Sequence, residues 1–301
     1  MTVSSRWIPL FLAGSLLLAQ AQPPPPPPPA PPAPPAPMIG VDLPSGSRTE
    51  QRTEKLAQGS KLWVKNRNGG IRVMGWDKDE VALTAQIRDS EKRRVELVLQ
   101  RKGSDLDIEA VFQQPSWSFG IYISPRCEMT LQVPRKLLGY FRTTNGTVTA
   151  ENLDGYARCE TTNGNVLVNH VRGEVQVETT NGSIEARGLA ARIKGSTTNG
   201  RIILEDIEGG VRLETTNGTI RARNLDGWGE GIHLESTNGS IEVDLGKASG
   251  DLVAENSNGS MDIKVAGAQM IELTKHSAHL KVPGRNQPIH LETTNGSIRV
   301  K

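Results

Sequence analysis

The charged residues with the most regular spacing in this chain are glutamates that recur three residues before an Asn-Gly dipeptide. If they lie along one surface, their carboxylates could hold divalent cations, because such ions bind oxygen ligands. Arg158, Lys194 and Arg212 recur nearby and offer counter-charges, so a solvated and partly salt-bridged face is the simpler interpretation. The glutamates of this column are Glu160, Glu178, Glu214, Glu235, Glu255 and Glu292.

Histidines form the second group that could do chemistry, since imidazole nitrogens bind metals and transfer protons. His233 and His290 each stand five residues before an Asn, at a position that we expect to face solvent. His276 and His279 could approach one another, but the sequence indicates no third ligand for a metal ion there. We therefore predict no metal site.

The chain has two cysteines, Cys127 and Cys159. Export would favour a disulfide between them. However, Cys159 occupies a position where equivalent residues are aliphatic, and Cys127 lies about two repeats away. Two strand spacings amount to roughly 10 Å, which exceeds the Cα separation of a disulfide. Two free thiols are therefore the favoured interpretation, with a bridge as the alternative.

Motifs for catalysis or cofactor binding are absent from the sequence, including Gly-x-Ser-x-Gly, His-Glu-x-x-His, phosphate loops and dinucleotide fingerprints. The 35 basic and 33 acidic residues nearly cancel, which argues against a nucleic-acid partner because such partners require a basic face. We therefore predict no catalytic residues, no cofactor and no enzymatic activity.

The glutamates belong to a sequence repeat that would position them. Each copy contains an Asn-Gly dipeptide, usually within Thr-Thr-Asn-Gly. From Asn145 to Asn217 the asparagines are 18 residues apart, and the later intervals are 21, 20 and 37 residues. Apolar residues alternate with polar ones on both sides of each Asn, which is typical of strands with one buried face. We expect the asparagines to form a structural turn ladder, and they are Asn68, Asn145, Asn163, Asn181, Asn199, Asn217, Asn238, Asn258 and Asn295.

Two architectures are compatible with such a repeat. Asn-Gly favours a type I′ hairpin turn, which would give an antiparallel meander. More than eight copies would then supply at least about sixteen strands, more than an open twisted sheet usually holds. A coil in which each copy makes one turn closes its core against its neighbours instead. The repeat therefore predicts an all-β fold, a single-chain β-solenoid or β-helix of about 18-residue turns.

The interval of 37 residues between Asn258 and Asn295 is close to twice 18. An origin at Ser277 would divide it into two turns, one of which has lost its Asn-Gly. The apolar positions of this hidden copy would be filled by Ile271, Leu273, Leu280 and Val282. Asn68-Gly69 marks a further early copy in the same way.

Composition divides the chain into four segments. Residues 1–21 read as a secretory signal peptide, with an uncleaved anchor as the alternative. Residues 22–40 are a Pro/Ala-rich linker that favours extended polyproline II. Residues 41–140 are predicted to form irregular coils that cap the solenoid, or else a separate small domain, and residues 141–301 form the regular repeat. The mature chain should be exported, to the periplasm, the cell surface or the medium, and should lack a transmembrane segment.

Three features in a fixed order resemble a known family: the segment from Lys65 to Trp76, Leu131-Gln-Val-Pro134, and the Thr-Thr-Asn-Gly repeats. The chain is similar to the bacterial putative-adhesin β-strand-repeat family, exported domains of unknown function, from about residue 58 to the end. The resemblance implies a β-helix-like fold and supplies no catalytic residues.

These observations predict an exported, non-enzymatic scaffold whose repetitive face binds a glycan, a surface polymer or an envelope protein. Many weak contacts would add through effective concentration. A carbohydrate-active β-helix enzyme and an envelope-stress or sensor module with a protein partner are the alternatives. The predicted binding face comprises Thr161, Thr162, Thr179, Thr180, Thr197, Thr198, Thr215, Thr216, Glu160, Glu178, Glu214 and Glu235.

Overall fold

The computed structural model describes residues 46–89, 94–113 and 124–301, and these residues form an all-β structure. The predicted signal peptide at 1–21 and the linker at 22–40 lie outside the described residues. The part of the chain that the structure describes contains no helix of the length and apolarity that a membrane crossing requires.

Twenty-four strands are present in the described residues. The first twelve are β1 (Ser47–Lys55), β2 (Lys61–Lys65), β3 (Ile71–Trp76), β4 (Glu80–Arg88), β5 (Val95–Lys102), β6 (Asp105–Phe112), β7 (Arg126–Pro134), β8 (Lys136–Arg142), β9 (Val148–Glu151), β10 (Asp154–Asn163), β11 (Val166–Asn169) and β12 (Arg172–Asn181). The others are β13 (Ile184–Asn199), β14 (Ile202–Glu208), β15 (Val211–Thr215), β16 (Ile220–Leu225), β17 (Ile232–Ser236), β18 (Ile241–Asp244), β19 (Gly250–Asn258), β20 (Met261–Ile263), β21 (Gln269–Leu273), β22 (Ser277–Val282), β23 (Gln287–Asn295) and β24 (Ile298–Val300).

Each central repeat places one strand before its Asn-Gly turn and one after it, and equivalent strands pair in parallel. Cys159 lies opposite Val177, and Val166 lies opposite Ile184, so each residue faces its equivalent 18 positions later. Strand β13 runs from one set of strands into the other, which joins both sets into one open sheet. We call the outer surface of the strands before Asn-Gly face A, and that of the strands after it face B. Stacking in parallel rules out an antiparallel meander for these repeats.

The core lies between the two sets of strands. Along β12, Val175 and Val177 are buried while Gln176 and Glu178 point outward, as the period of two requires. The same alternation in each coil builds one continuous aliphatic column, and burial of each such side chain contributes about 1.5–3 kcal/mol. Cys159 lies within this column, and both Cys159 and Cys127 are free thiols, as the strand spacing predicts.

The early copy at Asn68 is confirmed. Strand β2 pairs in parallel with β8, strand β3 pairs with β9, and Asn68 bridges to Asn145. On its other side this coil pairs in parallel with β6 and β7, which come later in the chain. Beyond them, β5 pairs antiparallel with β6, β4 pairs antiparallel with β7, and β1 pairs antiparallel with β4. Since β8 continues the regular stack and spans residues 136–142, it crosses the predicted segment boundary at residue 140.

The hidden copy at Ser277 is wrong. Strand β22, which contains Ser277, runs antiparallel to β19, and β21 runs antiparallel to β22. Of the four residues that the prediction placed in the core, Leu280 and Val282 are buried, but Ile271 and Leu273 are exposed. Instead, β23 lies in parallel between β17 and β19, and β24 lies between β18 and β20. A hairpin has the same apolar alternation as a coil, so the spacing alone did not distinguish them.

Candidate functional site

The asparagine ladder lies along the corner between face A and face B. The side-chain Nδ2 of Asn163 donates to Oδ1 of Asn145 at 2.9 Å, and each following Asn repeats this bond with its spatial neighbour at 2.9–3.0 Å. Asn68 joins the ladder only through its backbone, because its side chain donates to the carbonyl oxygen of Pro125. These amides satisfy one another, as in other stacked sheets, and their role is structural.

The first threonine of each Thr-Thr-Asn-Gly motif belongs to the turn and must be removed from the predicted binding face. The hydroxyl of Thr179 donates to the carbonyl oxygen of Gly164 at 2.9 Å, and its counterparts make the same bond to the preceding coil. Of the predicted binding residues, Thr161, Thr179, Thr197 and Thr215 are buried, as are Thr143 and Thr293 of the first and last motifs. The second threonine of each motif is exposed on face A, and these residues are Thr144, Thr162, Thr180, Thr198, Thr216 and Thr294.

The glutamate column also lies on face A, two residues before the exposed threonines. Arg158 forms ion pairs with Glu160 and with Glu178, and Arg212 pairs with Glu214 at 3.6 Å. This part of face A is therefore salt-bridged, as the sequence predicts. Half-exposed pairs of this kind contribute little to stability, typically below about 1 kcal/mol, so the carboxylates stay available to a partner.

Face B differs because its outward residues do not repeat by type. Its positions alternate between acidic, basic and apolar side chains from one coil to the next. Cross-strand ion pairs join Arg187 to Glu205 at 2.9 Å and Arg221 to Glu242 at 3.0 Å. Face A therefore repeats its outward side chains more regularly than face B, although Ser196 interrupts its glutamate column.

His233 and His290 meet on face A, although 57 residues separate them in the chain. Their rings stack with centroids 5.0 Å apart and planes inclined by 11°. Burial, helped by the nearby Arg212 and His290, lowers the pKa of His233, against the opposing effect of Glu235 and Glu214. Sequence reasoning missed this cluster because it assumed that coils stack in chain order. The available signal was that both histidines stand two residues before a glutamate.

A groove of about 380 Å³ runs along the opposite corner, where each coil turns back from face B to face A. The turns are made by residues with positive φ, such as Asn152 (57°), His170 (52°) and Asp206 (56°). Gly188 takes this position in the coil between them, with φ of 60°, and a Cβ there would lie 2.9 Å from the His170 ring. The small residues of that coil therefore leave the depression open.

The groove is charged differently at its two ends. Arg135 and Arg172, with Asp154 between them, line the N-terminal part, so basic residues outnumber acidic ones there. Asp206, Glu208 and Asp226, with Lys247 as the one cation, line the C-terminal part, where acidic residues predominate. Asp226 is held by Arg285, whose Nη1 lies 2.7 Å from its Oδ1. The sequence analysis did not identify this site. Residues tolerant of positive φ recur seven positions after each of the five asparagines from Asn145 to Asn217, and that was the signal available.

The cysteines offer no nucleophile. Both are buried, and burial raises the pKa of Cys127 and of Cys159 to about 12, with a smaller contribution from nearby glutamates. Because the thiolate is the reactive form, these thiols are inert in the folded chain near neutral pH.

A match to a known protein family covers the parallel stack and its Asn-Gly ladder. The chain belongs to the Toastrack DUF4097 family, which it matches over residues 60–301. This result confirms the resemblance to the adhesin-type repeat family, and it supports a β-solenoid-like fold for the parallel coils.

The chain is also similar to several solved bacterial structures. A putative adhesin from Parabacteroides distasonis shares 12% identity, covering 84% of this chain and 97% of that chain, with a TM-score of 0.43. A putative adhesin from Bacteroides fragilis shares 12% identity with the same coverage and a TM-score of 0.36. A putative lipid binding protein from Parabacteroides distasonis shares 13% identity, covering 84% and 96%, with a TM-score of 0.32. No curated protein matches the chain.

Proposed function

We propose that this chain is an exported, non-enzymatic β-solenoid scaffold that binds a repetitive glycan or surface polymer through face A. The observation that carries the proposal is the column of exposed threonines at the same position in the four successive coils from Thr162 to Thr216, beside a column of glutamates that Ser196 interrupts. Threonine hydroxyls donate and accept hydrogen bonds and ionised carboxylates accept them, so together they suit the hydroxyl groups of a sugar polymer.

The turn ladder makes such a surface rigid. Successive coils lie about 4.8 Å apart, the spacing of paired strands, so equivalent side chains repeat at that interval. Side chains that are already ordered lose little conformational entropy on binding, which favours affinity. Each contact is weak, and affinity would come from several contacts that form together along one polymer chain.

Export and an envelope location are part of the same proposal. The predicted signal peptide at 1–21 and the Pro/Ala-rich linker at 22–40 support it, because a linker of this type holds a folded part away from its attachment point. The near-balance of acidic and basic residues gives no support to a nucleic-acid partner.

The test replaces Thr162, Thr180, Thr198 and Thr216 together by alanine and measures binding to a glycan array and to insoluble peptidoglycan. For each polymer that the wild-type chain binds in these assays, we expect the variant to bind at least tenfold more weakly, because contacts are lost in four adjacent coils. The fold should persist, since these threonines are exposed and the buried threonines of the turn are unchanged.

The matched control changes the same number of outward residues on face B, namely Thr149, Glu185, Arg221 and Arg223, to alanine. Its binding should equal that of the wild-type chain. Equal binding by the face A variant would remove face A from the proposal. Capture of a single envelope protein, with no polymer bound, would favour the sensor alternative.

A carbohydrate-active enzyme remains the second candidate because the corner groove supplies the cleft that such an activity requires. Glu208 and Asp226 occupy equivalent positions on adjacent coils, so their Cα atoms lie about 4.8 Å apart. Both side chains line the groove, where a retaining glycosidase would require two carboxyl groups about 5–5.5 Å apart. Hydrolysis of an anionic polysaccharide that Glu208→Gln abolishes would establish the enzyme and overturn the non-enzymatic proposal.

A further inference from the structure

Four glutamates and two histidines come together near the C-terminal end of face A. In spatial order the glutamates are Glu214, Glu235, Glu292 and Glu255, one from each of four adjacent strands. The two histidines lie in the column beside the middle pair of glutamates. They divide the cluster into two sets of three, in each of which the ligand atoms lie within 4.8 Å of one another. The sets are Glu214, His233, Glu235 and Glu255, His290, Glu292.

This cluster is unusual in its charge. Stacked carboxylates on neighbouring strands repel one another. Within the described residues, Arg212 is the one arginine or lysine that pairs with any of the four, through Glu214 at 3.6 Å. The remaining contacts are to imidazoles, at 3.3 Å from His290 to Glu292 and 3.8 Å from His233 to Glu235. A bound cation would relieve this repulsion.

The ligand types indicate which cation. Imidazole nitrogen together with carboxylate oxygen suits zinc and neighbouring transition metals, whereas calcium and magnesium prefer oxygen alone. The set around His290 is better suited to bind a cation than the set around His233. Its neighbour on the next strand is Val253, whereas the corresponding neighbour of His233 is Arg212, whose charge opposes a cation.

We propose that Glu255, His290 and Glu292 form a Zn²⁺-binding site on face A, and that Glu214, His233 and Glu235 form a second, weaker site beside it. Tetrahedral zinc with bonds of about 2.1 Å places its ligand atoms about 3.4 Å apart. The ligand atoms of each set lie within 4.8 Å of one another, so zinc binding requires the glutamate side chains to rotate towards the ion. Three protein ligands leave one coordination position for water or a partner group.

The experiment titrates metal-free protein with ZnCl₂ by isothermal calorimetry. The wild-type chain should bind Zn²⁺, and His290→Ala and Glu255→Gln should each weaken the tighter event at least tenfold. His233→Ala should remove only the weaker event. His170→Asn is the matched control, since His170 lies at the opposite corner and Asn also tolerates its φ of 52°. That variant should bind Zn²⁺ as the wild-type chain does.

Thermal unfolding with and without ZnCl₂ gives an independent readout, because a metal that binds only the folded state raises its stability. The shift should appear in the wild-type chain and in His170→Asn, and be lost in Glu255→Gln, an exposed and nearly isosteric change. Absence of Zn²⁺ binding by the wild-type chain overturns the proposal. So does equal binding by His290→Ala and Glu255→Gln, or equally tight binding of Ca²⁺.

Discussion

The central coils stack in the order of the sequence, whereas the coils at the two ends do not. Between Asn145 and Asn238 every coil lies on the one that precedes it in the chain. At the N-terminal end, the Asn68 coil separates β6 and β7 from β8 and β9, although all four follow it in sequence. At the C-terminal end, the Asn295 coil inserts between the coils of Asn238 and Asn258.

The difference shows where a repeat protein can acquire varied chemistry. In the centre each residue meets its own equivalent from neighbouring repeats, which yields ladders of amides, hydroxyls and aliphatic groups. At an end, insertion places residues from distant parts of the chain side by side. The stacked pair of His233 and His290 arises in this way. The centre supplies rigidity, and the C-terminal end supplies the cluster with metal-ligand chemistry.

Crosslinking gives the sharpest test of the inserted coil. Glu235 and Glu292 lie directly opposite on adjacent strands, so their Cα atoms are about 4.8 Å apart and fit a disulfide. Glu235 and Glu255 are two strands apart, at roughly 10 Å, which is too far. After mild oxidation, Glu235→Cys with Glu292→Cys should crosslink almost completely, and Glu235→Cys with Glu255→Cys should not.

Peptide mass spectrometry under non-reducing conditions identifies the bonds. The native Cys127 and Cys159 are buried and should stay free in both variants. The opposite pattern, with a bridge only between positions 235 and 255, would show that the coils stack in chain order and would separate the two histidines.

Much of the fold could be predicted from the sequence because the repeat specifies each coil locally. The alternation of apolar residues fixed which side of every central strand is buried, and it also located the coil at Asn68. The order of coils could not be predicted. Equivalent columns in every repeat make one coil a suitable neighbour for almost any other, so pairing energy discriminates weakly among the arrangements.

The site was predicted less well, for two physical reasons. Thr179 and Thr180 look alike in sequence, yet the strand alternation buries the first and exposes the second, and the turn lies where that alternation is hardest to read. The corner groove depends on backbone conformation at Gly188 and its equivalents, which leaves only a faint pattern of tolerant residue types.

The glycines of the central Asn-Gly turns should not tolerate an added side-chain atom. A Cβ on Gly182 would lie 1.8 Å from the carbonyl oxygen of Gly164, and neither backbone can shift without disturbing coils on both sides. Gly182→Ala should therefore destabilise the chain by about 3 kcal/mol, the upper range for overpacking. Urea unfolding followed by circular dichroism measures this loss.

Gly103 is the matched control because it lies in the β5–β6 hairpin at the N-terminal end. A Cβ there meets nothing within 4 Å, so Gly103→Ala incurs only the strain of its φ of 65°. We expect a loss of about 1 kcal/mol, the cost of a left-handed conformation for a residue with a side chain. Equal losses at the two glycines would show that the centre is no more tightly constrained than the end.

Thiol labelling compares the two regions within the unmodified chain. Cys159 lies in a central coil, and Cys127 lies in β7, between β3 and the antiparallel β4 near the N-terminal end. Since burial raises both pKa values to about 12, reaction with iodoacetamide at pH 8 requires local opening. Ends of a structure open at lower free energy than its centre. Cys127 should therefore be labelled at least tenfold faster than Cys159.

The stability that the two buried thiols contribute should decrease as the pH rises. An unfolded thiol titrates near 9.0 while the folded pKa is about 12 for each cysteine. The stability that protonated thiols contribute is therefore complete below pH 9 and is lost as the pH rises towards 12. Labelling of both cysteines should accelerate between pH 8 and pH 10, as mass spectrometry of proteolytic peptides would record. Identical rates for Cys127 and Cys159 across that range would mean that the whole stack opens as one cooperative unit. The N-terminal end, where β7 packs between β3 and β4, would then be as firmly held as the centre.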